Sequence, residues 1–138
     1  MDAKTPLILT ITRASNGEMV DAPVFICPEN AEYEVVEVME RHEVLGTDGG
    51  AVTLDVVKAA SATAIAGATT VLSSTFNLKA TVATTVRKTV ASGLVAAKST
   101  RRLTAGQALG LDFGGTQTAV AGLVVVIVLA LVRAGTNR

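Results

Sequence analysis

The sequence has few of the side chains on which enzymatic and metal sites depend. Its 138 residues include no tryptophan, one cysteine (Cys27) and one histidine (His42). A single cysteine excludes an intrachain disulfide framework, and one histidine beside one cysteine excludes the usual zinc ligand sets. Arg41 and Glu43 flank His42, which is typical of a solvated or capping residue rather than a catalytic base. We expect a protein without enzymatic activity, cofactor or metal, in which Cys27 is a buried, inert thiol.

Aromatic and charged residues are also scarce. Aromatics make up 3% of the chain and charged residues 17%, whereas Ala, Val and Thr are abundant. Many β-branched residues with few aromatics predict a thin, tightly packed sheet protein rather than a helical bundle. An interior of Ala and Val is expected to be filled, so we expect no small-molecule substrate. Scattered bases without stacking aromatics are atypical of nucleic-acid modules, and direct nucleic-acid binding is not expected.

Charge is unevenly distributed, although it sums to zero. Residues 1–55 hold eleven acidic and three basic residues, a net charge of −8, and residues 56–138 hold one acidic and nine basic residues, a net charge of +8. Opposite charges favour neighbouring strands, within one chain or between subunits. In a symmetric oligomer we expect acidic residues of one chain to face basic residues of another, namely Glu34, Glu37 and Glu40 opposite Arg87, Lys88, Arg101 and Arg102.

Turn residues divide the chain into short segments with the alternation of half-buried strands. About eight such segments, spaced by roughly eight to twelve residues, predict an all-β fold, a single-domain β-sandwich or jelly-roll-like barrel. Residues 1–23 are expected to form an extended N-terminal arm or first strand, and residues 24–138 the sandwich. Within the arm, Leu7, Ile8 and Leu9 would pair with their own sheet or add to a neighbouring subunit. Alternation places nine residues in the core: Val52, Leu54, Val56, Phe76, Leu78, Leu109, Leu111, Leu123 and Val125.

The segment 33–45 is open to two interpretations. Its glutamates suit a helix, whereas its period of two favours a strand with a bulge near Val35-Val36. We prefer the strand and expect its glutamates on a solvated or subunit-facing surface. The glycine-rich stretch 46–50 then predicts a hairpin turn, and 59–70 predicts a surface loop that pivots at Gly67.

Further strands are expected towards the end of the chain. Residues 76–82 alternate, and segments 86–90 and 94–98 follow. The apolar run 119–132 would be about 21 Å long as a helix, short of the roughly 30 Å hydrocarbon core. Its Val and Ile content favours a central strand buried on both faces, with Val126 inside; a membrane anchor is the alternative.

A succession of segments resembles small virion proteins that decorate or cement the capsids of tailed bacteriophages. It comprises DGGAVTLDV at 48–56, the small-residue loop with Gly67, LSSTFNLKAT at 72–81, LTAGQALGLDF at 103–113 and LVVV at 123–126. The resemblance covers residues 33–132. It implies a β-sandwich or jelly-roll-like fold, no enzymatic activity and assembly as a homotrimer on the exterior of a phage capsid. The partner would be the major capsid protein; a head fibre or tail component is another virion role that we consider.

Overall fold

A computed structural model describes residues 5–134, except the side chain of Ala134. Within this range the chain forms a 3-10 turn at Asn16–Glu18, one short helix, α1 (Lys98–Arg101), and ten strands. The strands are β1 (Leu7–Arg13), β2 (Ala22–Ile26), β3 (Ala31–Arg41), β4 (Thr53–Ala59), β5 (Thr69–Thr70), β6 (Phe76–Asn77), β7 (Thr85–Arg87), β8 (Arg102–Leu103), β9 (Ala108–Gly114) and β10 (Leu123–Ala134).

The strands form two antiparallel sheets. Sheet A has the order β1-β10-β3-β7, with β8 also pairing with β3, and sheet B has the order β2-β9-β4-β5, with β6 also pairing with β4. Strands of alternating polarity bury one face each, and two such faces enclose a core. The predicted all-β sandwich is confirmed. Residues 7–13 belong to sheet A as β1, and the boundary expected at residue 23 falls inside β2.

The core is the one that alternation predicts. All nine predicted core residues are at most 1% exposed. They come from both sheets, so that β4 and β9 of sheet B face β10 of sheet A across the interior. Full burial of a side chain such as Leu or Phe contributes about 1.5–3 kcal/mol. The core is therefore the main source of stability.

Strand β3 contains the expected bulge. Val35 lies opposite Leu129 and Glu37 lies opposite Val128, which leaves Val36 without a facing residue. The helical alternative for this segment is thus wrong. The extra residue restores the alternation, so that Val38 returns to the core.

Strand β10 is central but is buried on one face only. It lies between β1 and β3, and Leu123, Val125 and Ile127 point into the core. Val126, which we expected inside, is half-buried on the outer face of sheet A. The expectation of two-sided burial is wrong, because none of the described segments covers the outer face of this strand.

Two connections differ from expectation. Residues 46–50 do not form a hairpin turn, because β3 and β4 belong to different sheets and this segment crosses between them. The crossing is fixed where the Gly46 N–H donates to the Leu78 carbonyl at 2.9 Å. By contrast, the loop predicted at 59–70 is largely present: β4 ends at Ala59, Gly67 has φ +74°, and only its last two residues form β5.

The strands expected between 76 and 98 are mostly turns. Strand β6 ends at Asn77 because its side chain accepts a hydrogen bond from the Lys79 N–H (2.9 Å), closing a tight turn. Val82 is consequently exposed. The Ser92 hydroxyl accepts hydrogen bonds from the N–H groups of residues 88 and 89, which ends β7, and α1 begins at Lys98.

Candidate interaction surface

The two oppositely charged halves of the sequence meet within one chain, on sheet A. In the β3–β8 register Glu34 lies opposite Arg102. The carboxylate of Glu34 accepts a hydrogen bond from Arg101 Nη1 at 3.1 Å and lies 3.5 Å from Arg102 Nη2. Arg101 is held further by its Nε, which donates to the Val95 carbonyl at 2.9 Å. Glu34 and Arg101 are thus mostly covered, and their charges are balanced before any second chain is present.

Glu40 and His42 lie in the core, each 1% exposed. The expectation of a surface position is wrong for both residues. His42 Nδ1 lies 2.5 Å from Glu40 Oε1, and His42 Nε2 donates to the Ala80 carbonyl at 3.1 Å. Because Nε2 carries a proton, a second proton lies between Nδ1 and the carboxylate. Burial raises the pKa of Glu40, an effect partly offset by the hydrogen bond and charge of His42.

The alternation of β3 contained the signal for this pair. Glu40 and His42 have the same parity as Val38, which is buried. Polar character alone predicts a surface position for them, whereas their parity places them inside. A carboxylate and an imidazole two residues apart on a core face satisfy each other, which makes their burial tolerable.

Other residues of the predicted interface remain near the surface. Glu37 is half-buried on the outer face of sheet A, opposite Val128. Arg87 is half-buried: its Nη1 donates to the Ser92 carbonyl at 3.0 Å, and its guanidinium lies 5.3 Å from the centre of the Phe76 ring. Lys88 is exposed. An interface role for these residues stays a prediction.

Strand β1 contains the predicted interface residues Leu7, Ile8 and Leu9. It forms an edge of sheet A and pairs with β10. Ile8 is 58% exposed, whereas Leu7 and Leu9 are partly buried against the core. These residues thus belong to the chain's own sheet and leave the second side of their strand open.

The cysteine thiol, a reactive group, points into the core. Cys27 is buried, and burial raises the pKa of its thiol, which is the direction expected of an unreactive cysteine. Its Sγ lies 3.3 Å from the Ala31 carbonyl.

Within residues 5–134, no three His, Cys, Asp or Glu side chains are grouped to hold a metal ion. None of the helices in this range has the length and apolar character needed to span a bilayer.

A shallow open cleft of about 400 Å³ lies between β2 and the loop after β4. Pro23 and Ile26 form one side, and residues 60–65 form the other. Its lining is mainly small and aliphatic. Specific ligand sites combine an enclosed apolar pocket with a few convergent polar groups, a description that this cleft does not fit.

Comparison with solved structures finds a chain with a similar fold. The chain superimposes on a chain of the structure "Capsid of Ralstonia phage GP4" with a TM-score of 0.57, covering 98% of this chain and 86% of that chain. The two chains share a fold. Their sequence identity is 17%, so the likeness concerns the fold alone. No protein-family model matches the sequence, and no curated protein does.

Proposed function

We propose that this chain is a non-enzymatic structural protein of a phage virion, which decorates the capsid exterior and stabilises the shell as a homotrimer bound to the major capsid protein. The observation that carries the proposal is the likeness to a chain of a phage capsid over nearly the whole length of both chains. The resemblance of segments 48–56, 72–81 and 103–113 to phage decoration proteins supports the same class of function.

The arrangement of reactive groups also supports a structural role. The single histidine hydrogen-bonds to Glu40 and to a backbone carbonyl inside the core, and the single cysteine is buried. Both ring nitrogens of His42 are therefore engaged, and neither is available as a general base to a molecule outside. The sheets instead present Val and Thr side chains, which lose little rotamer freedom on ordering and suit a rigid shell component.

The membrane alternative is not favoured. Most of the apolar run 119–132 forms β10, which pairs with β1 on one side and β3 on the other. Its apolar residues therefore serve the core and the centre of sheet A. We retain a head fibre or tail component only as an outcome of the experiment.

Exposed bases near the β7 and β8 edge of sheet A are the surface that we assign to the shell. Lys88 is exposed, and Arg102 keeps 39% of its side chain in solvent despite its contact with Glu34. An acidic patch on the major capsid protein would complement them. Such exposed pairs contribute about 0–1 kcal/mol each and are screened by salt, so they select the partner more than they supply affinity.

The test is cosedimentation of the purified protein with empty shells assembled from the major capsid protein alone. We expect binding, a particle of three chains or a multiple of three in analytical ultracentrifugation, and shells that withstand higher temperature once decorated. Lys88→Glu is expected to weaken binding by up to about fivefold at low salt, and Lys88→Ala by less, in proportion to the charge removed. Failure to bind shells, together with binding to fibres or tails, would overturn the decoration role, and a monomer would overturn the trimer.

A further inference from the structure

Strand β1 provides one long open edge. Sheet A begins with β1, which among the described residues therefore has a partner on one side only. It pairs with β10 over seven consecutive residues, Leu7–Arg13, without any irregularity. It contains neither proline nor glycine. Such an edge presents a regular row of unpaired N–H and C=O groups to any strand that approaches it.

The other edges within residues 5–134 are short or interrupted. Strand β2 carries Pro23, which has no N–H, and its pairing is irregular between Pro23 and Phe25. Strands β5, β6, β7 and β8 contain only two or three residues each. Proteins use these features to prevent edge-to-edge pairing, and β1 has none of them.

The side chains of β1 also indicate that a strand is missing beside it. Leu7, Leu9 and Ile11 face the core and yet are only partly buried. Residues 8, 10 and 12 alternate with them and are exposed on the outer face. A further strand along β1 would cover the three aliphatic side chains that the sandwich leaves half open.

We propose that this strand is β1 of a second copy of the chain, paired antiparallel across a twofold axis at Thr10. The only charged residue of β1 is Arg13, which this register places opposite an aliphatic side chain, so no like charges oppose each other. Core-facing residues meet core-facing residues, and the two copies of sheet A become continuous. The pairs are Thr10 with Thr10, Leu9 with Ile11, Ile8 with Thr12 and Leu7 with Arg13.

This contact does not depend on the proposed capsid function. A twofold contact along β1 leaves the β7 and β8 side of the sheet free for a threefold contact or for the shell. In a trimeric decoration protein it would join neighbouring trimers. Shell binding tests the proposed function, whereas the isolated protein in solution tests the β1 contact.

Single cysteines test the register. Residues directly opposite in an antiparallel pair have Cβ atoms about 4.5–5.5 Å apart, close enough for a disulfide after small adjustments. We expect Thr10→Cys to form a disulfide-linked dimer under mild oxidation. Thr12→Cys would lie roughly 13 Å from its counterpart, four residues along the strand, and is the matched control. Wild type, whose Cys27 is buried, should not crosslink.

Opposite charges at the axis give an independent test. Thr10→Lys and Thr10→Glu each place like charges directly opposite at an exposed position, so each variant should fold but sediment as the unpaired form. An equal mixture of the two should recover the paired form. Val90→Lys, at a position that is 56% exposed and away from β1, should pair as wild type does. Equal crosslinking at positions 10 and 12, or identical sedimentation of all variants and the mixture, would overturn the proposal.

Discussion

Replacing one member of the Glu40–His42 pair should destabilise the folded protein far more than replacing both. In the His42→Leu variant, the Glu40 carboxylate keeps its 1% exposure and loses its hydrogen-bond donor. A buried carboxyl group left without its hydrogen-bond partner costs about 1–3 kcal/mol, and more where it is charged. Glu40→Leu leaves the Nδ1 of the imidazole without a partner, at a cost of about 1–3 kcal/mol.

The double variant places two apolar side chains in an apolar interior. Only the hydrogen bond to the Ala80 carbonyl is then lost without replacement, and Ala80 is an exposed residue that water reaches. Replacing a buried pair by apolar residues of similar volume is often neutral or stabilising. We expect the double variant to be about 2–4 kcal/mol more stable than the sum of the single changes predicts.

The assay is urea unfolding followed by far-ultraviolet circular dichroism and by the fluorescence of the single tyrosine, Tyr33. A domain stable by about 5–15 kcal/mol tolerates the smaller of these losses. If His42→Leu alone does not fold, a double variant that folds still establishes the coupling, because additive costs would leave the double variant less stable than His42→Leu. Additive costs, or single changes below about 1 kcal/mol, would refute the idea that the two side chains form one buried unit.

The pH dependence of the same pair has a defined sign. Because burial raises the pKa of Glu40, the folded protein binds this proton more tightly than the unfolded chain does. The stabilisation that comes from binding this proton is fully present below the ordinary carboxyl pKa of 4.5, and it is lost as pH rises through the pKa of Glu40 in the folded protein. The stability of Glu40→Gln relative to wild type should therefore increase as pH is raised from 4 to neutrality. An unchanged difference would show that Glu40 titrates as it does in the unfolded chain.

Three further changes probe the sandwich. Ile127→Asp should cost several kcal/mol because it buries an unpaired carboxylate, whereas Val126→Asp, on the outer face, should cost about 1 kcal/mol; equal urea midpoints would contradict the assigned faces. Gly115→Ala should destabilise by well over 1 kcal/mol because its Cβ would meet a backbone carbonyl, unlike Gly106→Ala, whose Cβ meets open space at a similar positive φ; thermal melting compares them. Asp55→Asn should stabilise the protein by a few tenths to about 1 kcal/mol at pH 7 and by less near pH 4. The reason is that burial, together with the carboxylate of Asp112 on the neighbouring strand, raises the pKa of Asp55, and a gain independent of pH would contradict this.

The core and the sandwich class could be predicted because they depend on alternation. In segments such as 52–56 and 109–113, apolar residues recur at every second position, and this pattern fixes which face turns inward. The bulge at Val36 was also readable, as a change of phase in the same pattern. These features are encoded locally, and local patterns remain valid whatever the partners of a strand are.

The remaining features depend on individual side-chain contacts that alternation does not encode. The turn after Asn77 arises from one side-chain hydrogen bond, and a period of two alone gives no sign of where such a bond ends a strand. The burial of Glu40 and His42 requires the Ala80 carbonyl, which lies thirty-eight residues after His42 in the sequence and accepts the hydrogen bond of its Nε2. Sequence patterns likewise could not distinguish a pairing of acidic and basic strands within the chain from one between chains. The Glu34–Arg101 contact decides it for those two residues.

The position of β10 imposes an order on folding. It is the last of the described strands, yet it lies between β1 and β3. Ile127 of β10 is opposite Leu9 on one side and opposite Val38 on the other. During synthesis, β1 leaves the ribosome long before its partner exists. Sheet B can form from β2, β4 and β9 while sheet A still lacks its centre. Closing so long a loop is slow, and until it closes β1 remains an apolar segment open to aggregation. Rapid dilution at low protein concentration is thus the condition under which we expect refolding to succeed.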